Sequence, residues 1–279
     1  MSPARPAACV IGYPAKHSRS PKLHGYWLDR YGIAADYRAE EIPPEAFPKF
    51  VTNLAANGYA GANVTMPHKD AALELSDPDE RALAVGAANT LWLEDGVLKS
   101  TNTDVEGFQG SLDAAAAGWE QRTRVAIVLG AGGAGRAVIY GLLERGVGTI
   151  HVVNRTISKA EDLKERFGDA IRPATWEDLP GLLPSADLLV NTTSLGMHDQ
   201  PALEVNVDGM RKGAIVADIV YVPLKTQLLA DAEARGFATA NGLDMLLHQA
   251  VRGFELWYGR RPEVTKQQYE LLAADITDG

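Results

Sequence analysis

Asn63, Thr65 and Lys69 lie in the run N-V-T-M-P-H-K, at the close of an apolar stretch. Alternation along a strand puts Asn63 and Thr65 on one face. Lys69 follows in the first turn of a helix, where its charge opposes the helix dipole. That is a poor place for a purely structural lysine. The placement suggests a chemical role for the ammonium instead. Ser18-Arg19-Ser20-Pro21 sets two hydroxyls where another helix begins. Pro21 suits the first helical position and Ser20 the N-cap. Free N–H groups at such a corner favour an anion, for example a carboxylate. Locally the two serines read equally well as an anion seat or as caps. Asn89 and Asn102-Thr103-Asp104 add amides and a carboxylate. Each alone also suits a turn.

A second constellation is Gly130–Arg136, G-A-G-G-A-G-R, directly after the apolar run Val125–Leu129. Gly130, Gly132 and Gly135 fill the three positions of a dinucleotide fingerprint. The first serves a tight turn, the second close approach of a pyrophosphate, and the third close helix–strand packing. Thr149–Val153 then ends in Asn154-Arg155-Thr156, with Ser158 and Lys159 behind. An NAD site expects an acidic residue there, roughly 20 residues past the turn. Arg155 stands there instead. A guanidinium can fork onto a phosphate, which a carboxylate would repel. The pattern therefore reads as NADP rather than NAD.

The elements that must carry these residues alternate between strand and helix, which predicts parallel sheet. In the first part, strands are expected at Ala8–Ile11, Asp36–Ile42 and Gly61–Thr65. Helices are expected at Pro21–Tyr31, Glu45–Asn57 and Pro67–Leu75. Thr90–Leu93 and Val97–Ser100 flank Glu94-Asp95-Gly96, a hairpin signal. Asp104–Ala117 reads as a helix leading to the second part. Strands there are expected at Val125–Leu129, Thr149–Val153, Asp187–Asn191, Ala214–Asp218 and Phe237–Thr239, and a long amphipathic helix at Leu243–Tyr258. The fold class is α/β, with two domains: an N-terminal α/β substrate domain and a Rossmann-type NADP-binding domain, enclosing a cleft. The expected boundaries are 1–104, 105–240, and 241–279 for C-terminal helices that return to the first domain.

The chain has 279 residues, enough to bury about three quarters of its unfolded surface. Its apolar fraction of 46% and charged fraction of 23% are those of an ordinary globular protein. A net charge of −9 argues against a nucleic-acid partner or an anionic membrane surface. Cys9 is the only cysteine, so there is no internal disulfide and no thiolate metal cluster. The six histidines, His17, His24, His68, His151, His198 and His248, lack zinc-type spacing. No metal is expected. Met1–Val10 lacks the apolar core of a secretory signal, and no uncharged run approaches about 18 residues. A cytoplasmic location is expected, as a monomer or homodimer.

Read in order, the motifs resemble the shikimate dehydrogenase family. They are Ser18-x-Ser20-Pro21-x-x-His24, Asn63-Val64-Thr65-x-Pro67-x-Lys69, Gly86-Ala87-Ala88-Asn89-Thr90 and Asn102-Thr103-Asp104. The glycine turn and Asn154-Arg155-Thr156 follow, then Asn191-Thr192-Thr193-Ser194-x-Gly196-Met197. Asp218-x-x-Tyr221-x-Pro223 and Gly242-x-x-Met245-Leu246-x-x-Gln249 complete the set. The resemblance runs from about residue 8 to 265. Gly25, Val105, Asn241 and Asp244 depart from the usual pattern without removing a proposed catalytic group.

The resemblance implies reversible, NADPH-dependent reduction of 3-dehydroshikimate to shikimate in aromatic amino-acid biosynthesis. It assigns Lys69 and Asp104 as the catalytic pair and Ser18 and Ser20 to the substrate carboxylate. Thr65, Asn89, Asp104 and Gln249 would hold the ring hydroxyls, with Asn63 and Tyr221 beside them. Gly130, Ala131, Gly132, Gly133 and Ala134 would line the NADP site. Asn154, Arg155, Thr156, Ser158, Lys159, Thr192, Ile219, Gly242 and Met245 would join them. A quinate/shikimate paralogue acting on a related ring acid, or a non-catalytic NADP sensor, stays open as an alternative.

Overall fold

Short apolar strands alternating with amphipathic helices fold into two six-stranded sheets, each within its own unit of the chain. The computed structural model describes residues 6–277. Residues 1–5, part of the stretch read for a signal, and 278–279 lie outside the described residues. The first unit runs to Thr103 and resumes over Gln249–Leu272; the second holds Asp104–His248 and the residues from Ala273. The return therefore starts at Gln249, inside a helix, rather than at residue 241.

The first unit contains β1 (Ala7–Gly12), α1 (Ser20–Tyr31), β2 (Asp36–Glu41), α2 (Phe47–Thr52) and β3 (Tyr59–Val64). It continues with α3 (Lys69–Glu74), β4 (Asp77–Pro78), α4 (Glu80–Val85), β5 (Thr90–Glu94) and β6 (Val97–Thr101). The sheet order is β2-β1-β3-β5-β6-β4. β1 pairs in parallel with β2 and β3, whereas β5 is antiparallel to both β3 and β6. The sheet is thus mixed, because the expected hairpin is built into it. α2 is shorter than the expected 45–57 helix. Thr52 Oγ1 and Asn53 Nδ2 donate to the carbonyls of Pro48 and Lys49 (both 2.8 Å), and Asn57 Nδ2 donates to that of Phe50 (3.2 Å). Side chains that bond the backbone in this way compete with continued helix.

The second unit begins with α5 (Asp104–Ala115) and α6 (Trp119–Arg122). It continues with β7 (Val125–Leu129), α7 (Gly133–Glu144), β8 (Thr149–Val153), α8 (Ile157–Phe167) and β9 (Ile171–Ala174). α9 (Leu179–Leu182), β10 (Leu188–Asn191), β11 (Ile215–Asp218), α10 (Gln227–Ala234) and β12 (Ala238–Ala240) follow. α11 (Gly242–Tyr258) crosses from the second unit into the first, and α12 (Lys266–Thr277) ends the description. The sheet is wholly parallel, in the order β12-β11-β10-β7-β8-β9. This is the doubly wound order, with its reversal between β7 and β10. Successive residues serve opposite faces. Ala126 and Val128 pack with Ile150, Val152 and Leu188, while Ile127 and Leu129 pack with Val153, Leu189 and Val216. Burial on both faces explains why these strands are continuous apolar runs. β9 is not evident in the sequence: Arg172 and Pro173 interrupt its pattern, and proline is tolerated because β9 is an edge strand. α4, α6, α8, α9, α10 and α12 likewise add to the expected elements. Among the described residues, no helix is long and apolar enough to cross a membrane.

The returning part of α11 covers the first sheet. Trp257 donates its indole N–H to Leu91 O (2.8 Å), and the ring lies where a Cβ on Gly61 would stand. Beside it, His24 is fully buried. Its ring stacks on Tyr37 at 4.0 Å and meets Trp27, Phe254 and Trp257. Neither ring nitrogen has a hydrogen-bond partner, although Asn63 is the nearby polar group. Burial pushes the imidazole down to about 3. The unfolded chain therefore takes up this proton first, and stability present above about pH 6.5 is lost as pH falls toward 3. The shift corresponds to about 4 kcal/mol by pH 3. His24→Phe should flatten that dependence: its urea midpoint should fall less between pH 7 and pH 4 than the wild type's. Parallel losses in the two proteins would contradict this.

Candidate active site

The carboxyl ends of β1 and β3 and the start of β5 bring the polar residues of the first unit together. β3 ends at Val64, so Asn63 lies in the strand and Thr65 just past it. Thr65 N donates to Ile11 O (2.9 Å), and its methyl lies where a Cβ on Gly12 would stand. α3 starts at Lys69, which is half-buried, and Ala88 N donates to Lys69 O (3.0 Å). The lysine backbone is thereby tied to the segment that leads into Asn89. His68 stacks on Phe47 at 4.3 Å and bonds Ile42 O at 2.7 Å, which fixes the residue before the lysine.

A buried chain of hydrogen bonds runs through this corner. Tyr37 contacts the Ser20 hydroxyl and donates its phenol to Asn63 Oδ1 at 2.7 Å. Burial holds that phenol well above its ordinary pKa, so it remains a donor. Asn63 Nδ2 donates to Asn89 O (3.3 Å) and Thr90 Oγ1 (3.1 Å). Asn89 Oδ1 accepts from Thr103 N (2.7 Å) and from the Thr90 and Thr103 hydroxyls (both 3.1 Å). Thr103 Oγ1 reaches Gln249 Oε1 at 3.5 Å. Ser20, Asn63, Asn89 and Gln249, chosen from sequence, are therefore joined. Tyr37 is a member that sequence reasoning missed; its one visible sign is an aromatic residue in the charged strand D-Y-R-A-E-E.

Two expected roles change. Ser20 is not the N-cap: Arg19 holds that place in helical geometry without a capping bond, and Ser20 lies inside α1. Ser18 Oγ accepts from Ser20 N at 3.3 Å. Asn63 commits its amide hydrogens within the protein, so it orders Asn89 and Thr90. Asp104, the residue after Thr103, opens α5 and is buried, and the second unit also carries Tyr221.

Within the second unit, the glycine turn lies at the sheet's point of reversal. Gly130 has φ +105°, which disfavours any side chain. A Cβ on Gly135 would stand 2.6 Å from Gly130 O, so strand and helix meet there in full contact. Around a Cβ on Gly132 nothing lies within 4 Å. α7 has no side-chain cap and no acidic residue in its first turn. That is open, anion-favouring space of the kind a pyrophosphate needs. Ala131 N donates to Asn154 Oδ1 (3.2 Å), and Asn154 Nδ2 donates to Thr156 O (2.8 Å). Arg155, Thr156, Ser158 and Lys159 are exposed around the start of α8, which also lacks a side-chain cap and an early acid. These residues fit a nucleotide with an added phosphate. Thr192 turns inward, donating to Leu129 O at 2.7 Å, and Met245 packs in the core. Asn241 Oδ1 accepts from Leu243 N and Asp244 N (both 3.0 Å), capping α11 beside Gly242. The unusual Asn241 thus has a clear role.

Asp218 and Asn191, which enter the sequence motifs without an assigned role, form the polar centre of this unit. Asp218 Oδ1 accepts from Asn191 Nδ2 (2.9 Å) and Val220 N (3.0 Å), and Oδ2 accepts from Thr226 Oγ1 (2.7 Å). Burial pushes the carboxyl up to about 6, against three donors that favour its ionised form.

The comparisons agree with these features. Family models match three stretches: the shikimate dehydrogenase substrate binding domain at residues 10–91, shikimate / quinate 5-dehydrogenase at 114–214, and the shikimate 5'-dehydrogenase C-terminal domain at 242–266. A protein of Rhodopseudomonas palustris named shikimate dehydrogenase (NADP(+)) is 57% identical over 276 residues, covering 99% of each chain. One of Nitrobacter winogradskyi with the same name is 59% identical over 270 residues, covering 97% of this chain and 96% of its own. The structure of shikimate 5-dehydrogenase from Thermus thermophilus in complex with NADP(H) and shikimate aligns with TM-score 0.86 and 35% identity, covering 97% of this chain and 99% of that one. Quinate dehydrogenase from Corynebacterium glutamicum in complex with NAD aligns with TM-score 0.89 and 29% identity, at the same coverage.

The environments of Gly135 and Gly132 give different expected outcomes. Gly135→Ala should cost about 1–3 kcal/mol through overlap with Gly130 O. Gly132→Ala should leave the melting temperature near wild type and weaken dinucleotide binding. Thermal melts with and without the dinucleotide separate the two, and equal melting temperatures without ligand would contradict this reading.

Proposed function

The chain belongs to the shikimate dehydrogenase family, and from that premise we propose that it interconverts 3-dehydroshikimate and shikimate with NADP. It is an oxidoreductase acting on a CH–OH group, in aromatic amino-acid biosynthesis. The observation that carries the reading is the buried chain from Ser20 through Tyr37 and Asn63 to Asn89, Thr103 and Gln249, a set of neutral polar groups suited to a polyhydroxylated acid. Ser18 and Ser20 take the carboxylate. Thr65, Asn89, Asp104 and Gln249 take the ring hydroxyls, and Tyr221 is a further substrate-binding residue. Asn63 serves the same site by orienting Asn89 and Thr90.

Gly130–Ala134 would hold the pyrophosphate of NADPH and Asn154–Lys159, Arg155 above all, its added phosphate; when bound, the cofactor would supply the hydride. Ile219, Gly242, Thr192 and Met245 shape the remaining wall, the last two from behind. Negative charge grows on the ketone oxygen during reduction. The Lys69 ammonium stabilises it and gives the proton, with Asp104 as the other member of the catalytic pair. In oxidation Lys69 accepts that proton. Both members of the pair are present, which favours an enzyme over a non-catalytic sensor. The single buried thiol, Cys9, suits a reducing, cytoplasmic setting, and the assembly is a monomer or homodimer.

NADPH absorbance with paired substrates and cofactors tests the reading. Shikimate should be oxidised much faster than quinate, and with NADP in clear preference to NAD. Quinate carries an extra hydroxyl on a saturated carbon, which turns its carboxylate. A misplacement of about 1 Å can cost on the order of 10²-fold in rate. Equal use of quinate would move the chain to the quinate/shikimate group. Lys69→Ala should lower turnover roughly 10²–10⁴-fold, while NADP binding measured by fluorescence stays near wild type. Near-native turnover would remove Lys69 from the chemistry.

A further inference from the structure

Tyr221 lies in the loop between β11 and α10, at residues 219–226, and a loop of that length has no regular backbone ladder to hold it. Its two ends meet on one side chain. Asp218 takes Val220 N on one oxygen and Thr226 Oγ1 on the other. Thr226 is also the N-cap of α10, accepting from Leu229 N at 3.4 Å, so the carboxylate reaches the helix through it. A third donor, Asn191 Nδ2, shares the first oxygen and belongs to the end of β10. Asn191 in turn orders its own loop, accepting from Thr193 N (3.0 Å) and Thr193 Oγ1 (2.7 Å) and donating to Leu195 O (3.1 Å). The two loops touch again where His198 N donates to Val222 O at 2.9 Å, one residue past Tyr221. On the other side, the peptide at Ile219 fills the space a Cβ on Gly242 would need.

All three partners of the carboxylate are donors. Only an acceptor without hydrogens satisfies them together, which explains an aspartate, 2% exposed, where asparagine has the same shape. We propose that Asp218 is a positioning residue: by holding both ends of the 219–226 loop and the end of β10, it fixes where Tyr221 presents its phenol to the substrate. The inference rests on the reading of Tyr221 as a substrate-binding residue.

Asp218→Asn, Tyr221→Phe and the double variant of the full-length protein test it. Each is assayed for shikimate KM and kcat, and for affinity toward adenosine 2′,5′-bisphosphate, a probe of the Asn154–Lys159 end. Tyr221→Phe should raise the shikimate KM about tenfold. Asp218→Asn should raise it at least fivefold, with affinity for the probe within twofold of wild type. The double variant should lie within twofold of the more severe single variant, because a residue acting through Tyr221 has nothing left to position once the phenol is gone. A KM for Asp218→Asn within twofold of wild type overturns the inference and leaves the role of Tyr221 standing. Effects that multiply in the double variant overturn it as well. A wild-type KM in Tyr221→Phe overturns the substrate reading of Tyr221 and the inference with it. If Asp218→Asn no longer binds the probe, Thr226→Val and Thr226→Ser replace it. The valine should raise the KM and the serine restore it; equal KM values would overturn the inference.

Discussion

The Tyr37 phenol donates a hydrogen bond to the Asn63 amide oxygen over 2.7 Å, between two buried residues. Buried polar atoms without partners are costly, so one such bond sets the direction of the next. With its oxygen occupied, the Asn63 amide must point its nitrogen at Asn89 O and Thr90. That leaves Asn89 Oδ1 to gather Thr103, and Thr103 to meet Gln249 on the returning helix. Strand ends, hairpin and C-terminal helix are thus placed by donor and acceptor matching as much as by apolar packing. The stacked His24 ring supports the phenol from behind while adding no hydrogen bond of its own.

The second unit meets the same requirement with a charge. Its central parallel strands are mostly apolar, and Gly130, Thr192 and Asp218 follow or close β7, β10 and β11 at their carboxyl ends. Thr192 clasps Leu129 O, and Asp218 clasps the next two loops. The glycine turn, proposed above to receive a pyrophosphate, is therefore shaped by the protein's own hydrogen bonds. A ligand arriving there meets a surface that is already ordered, which lowers the entropic cost of binding.

Much of this was legible in the residues. Val125–Leu129 and Thr149–Val153 coincide with β7 and β8, because a strand buried on both faces must be apolar throughout and turn residues close its ends. Lys69, Asn89 and the glycine turn stand out as polar or flexible groups at strand ends. Tyr37 did not, since its partner is 26 residues away and only the register of β1 with β2 and β3 brings them together. Ser20 has the composition of a cap, but its hydroxyl goes to a tertiary partner, and local preference has no knowledge of that. β9 was hidden by Arg172 and Pro173, and α2 was overextended because Thr52 and Asn53 end it through their own side chains.

The outer strands of both sheets have a consequence for how the protein behaves in a crowded solution. An edge strand offers unpaired N–H and C=O groups to any neighbouring chain. Here β2 places Asp36, Arg38, Glu40 and Glu41 along its length, and β4 has only two residues, one of them Pro78. In the other sheet β9 includes Pro173 and β12 is three residues long. Charge, brevity and missing donors leave each rim a poor template for a strand from another molecule. These rims thus resist sheet-to-sheet aggregation while the apolar strands between them stay covered.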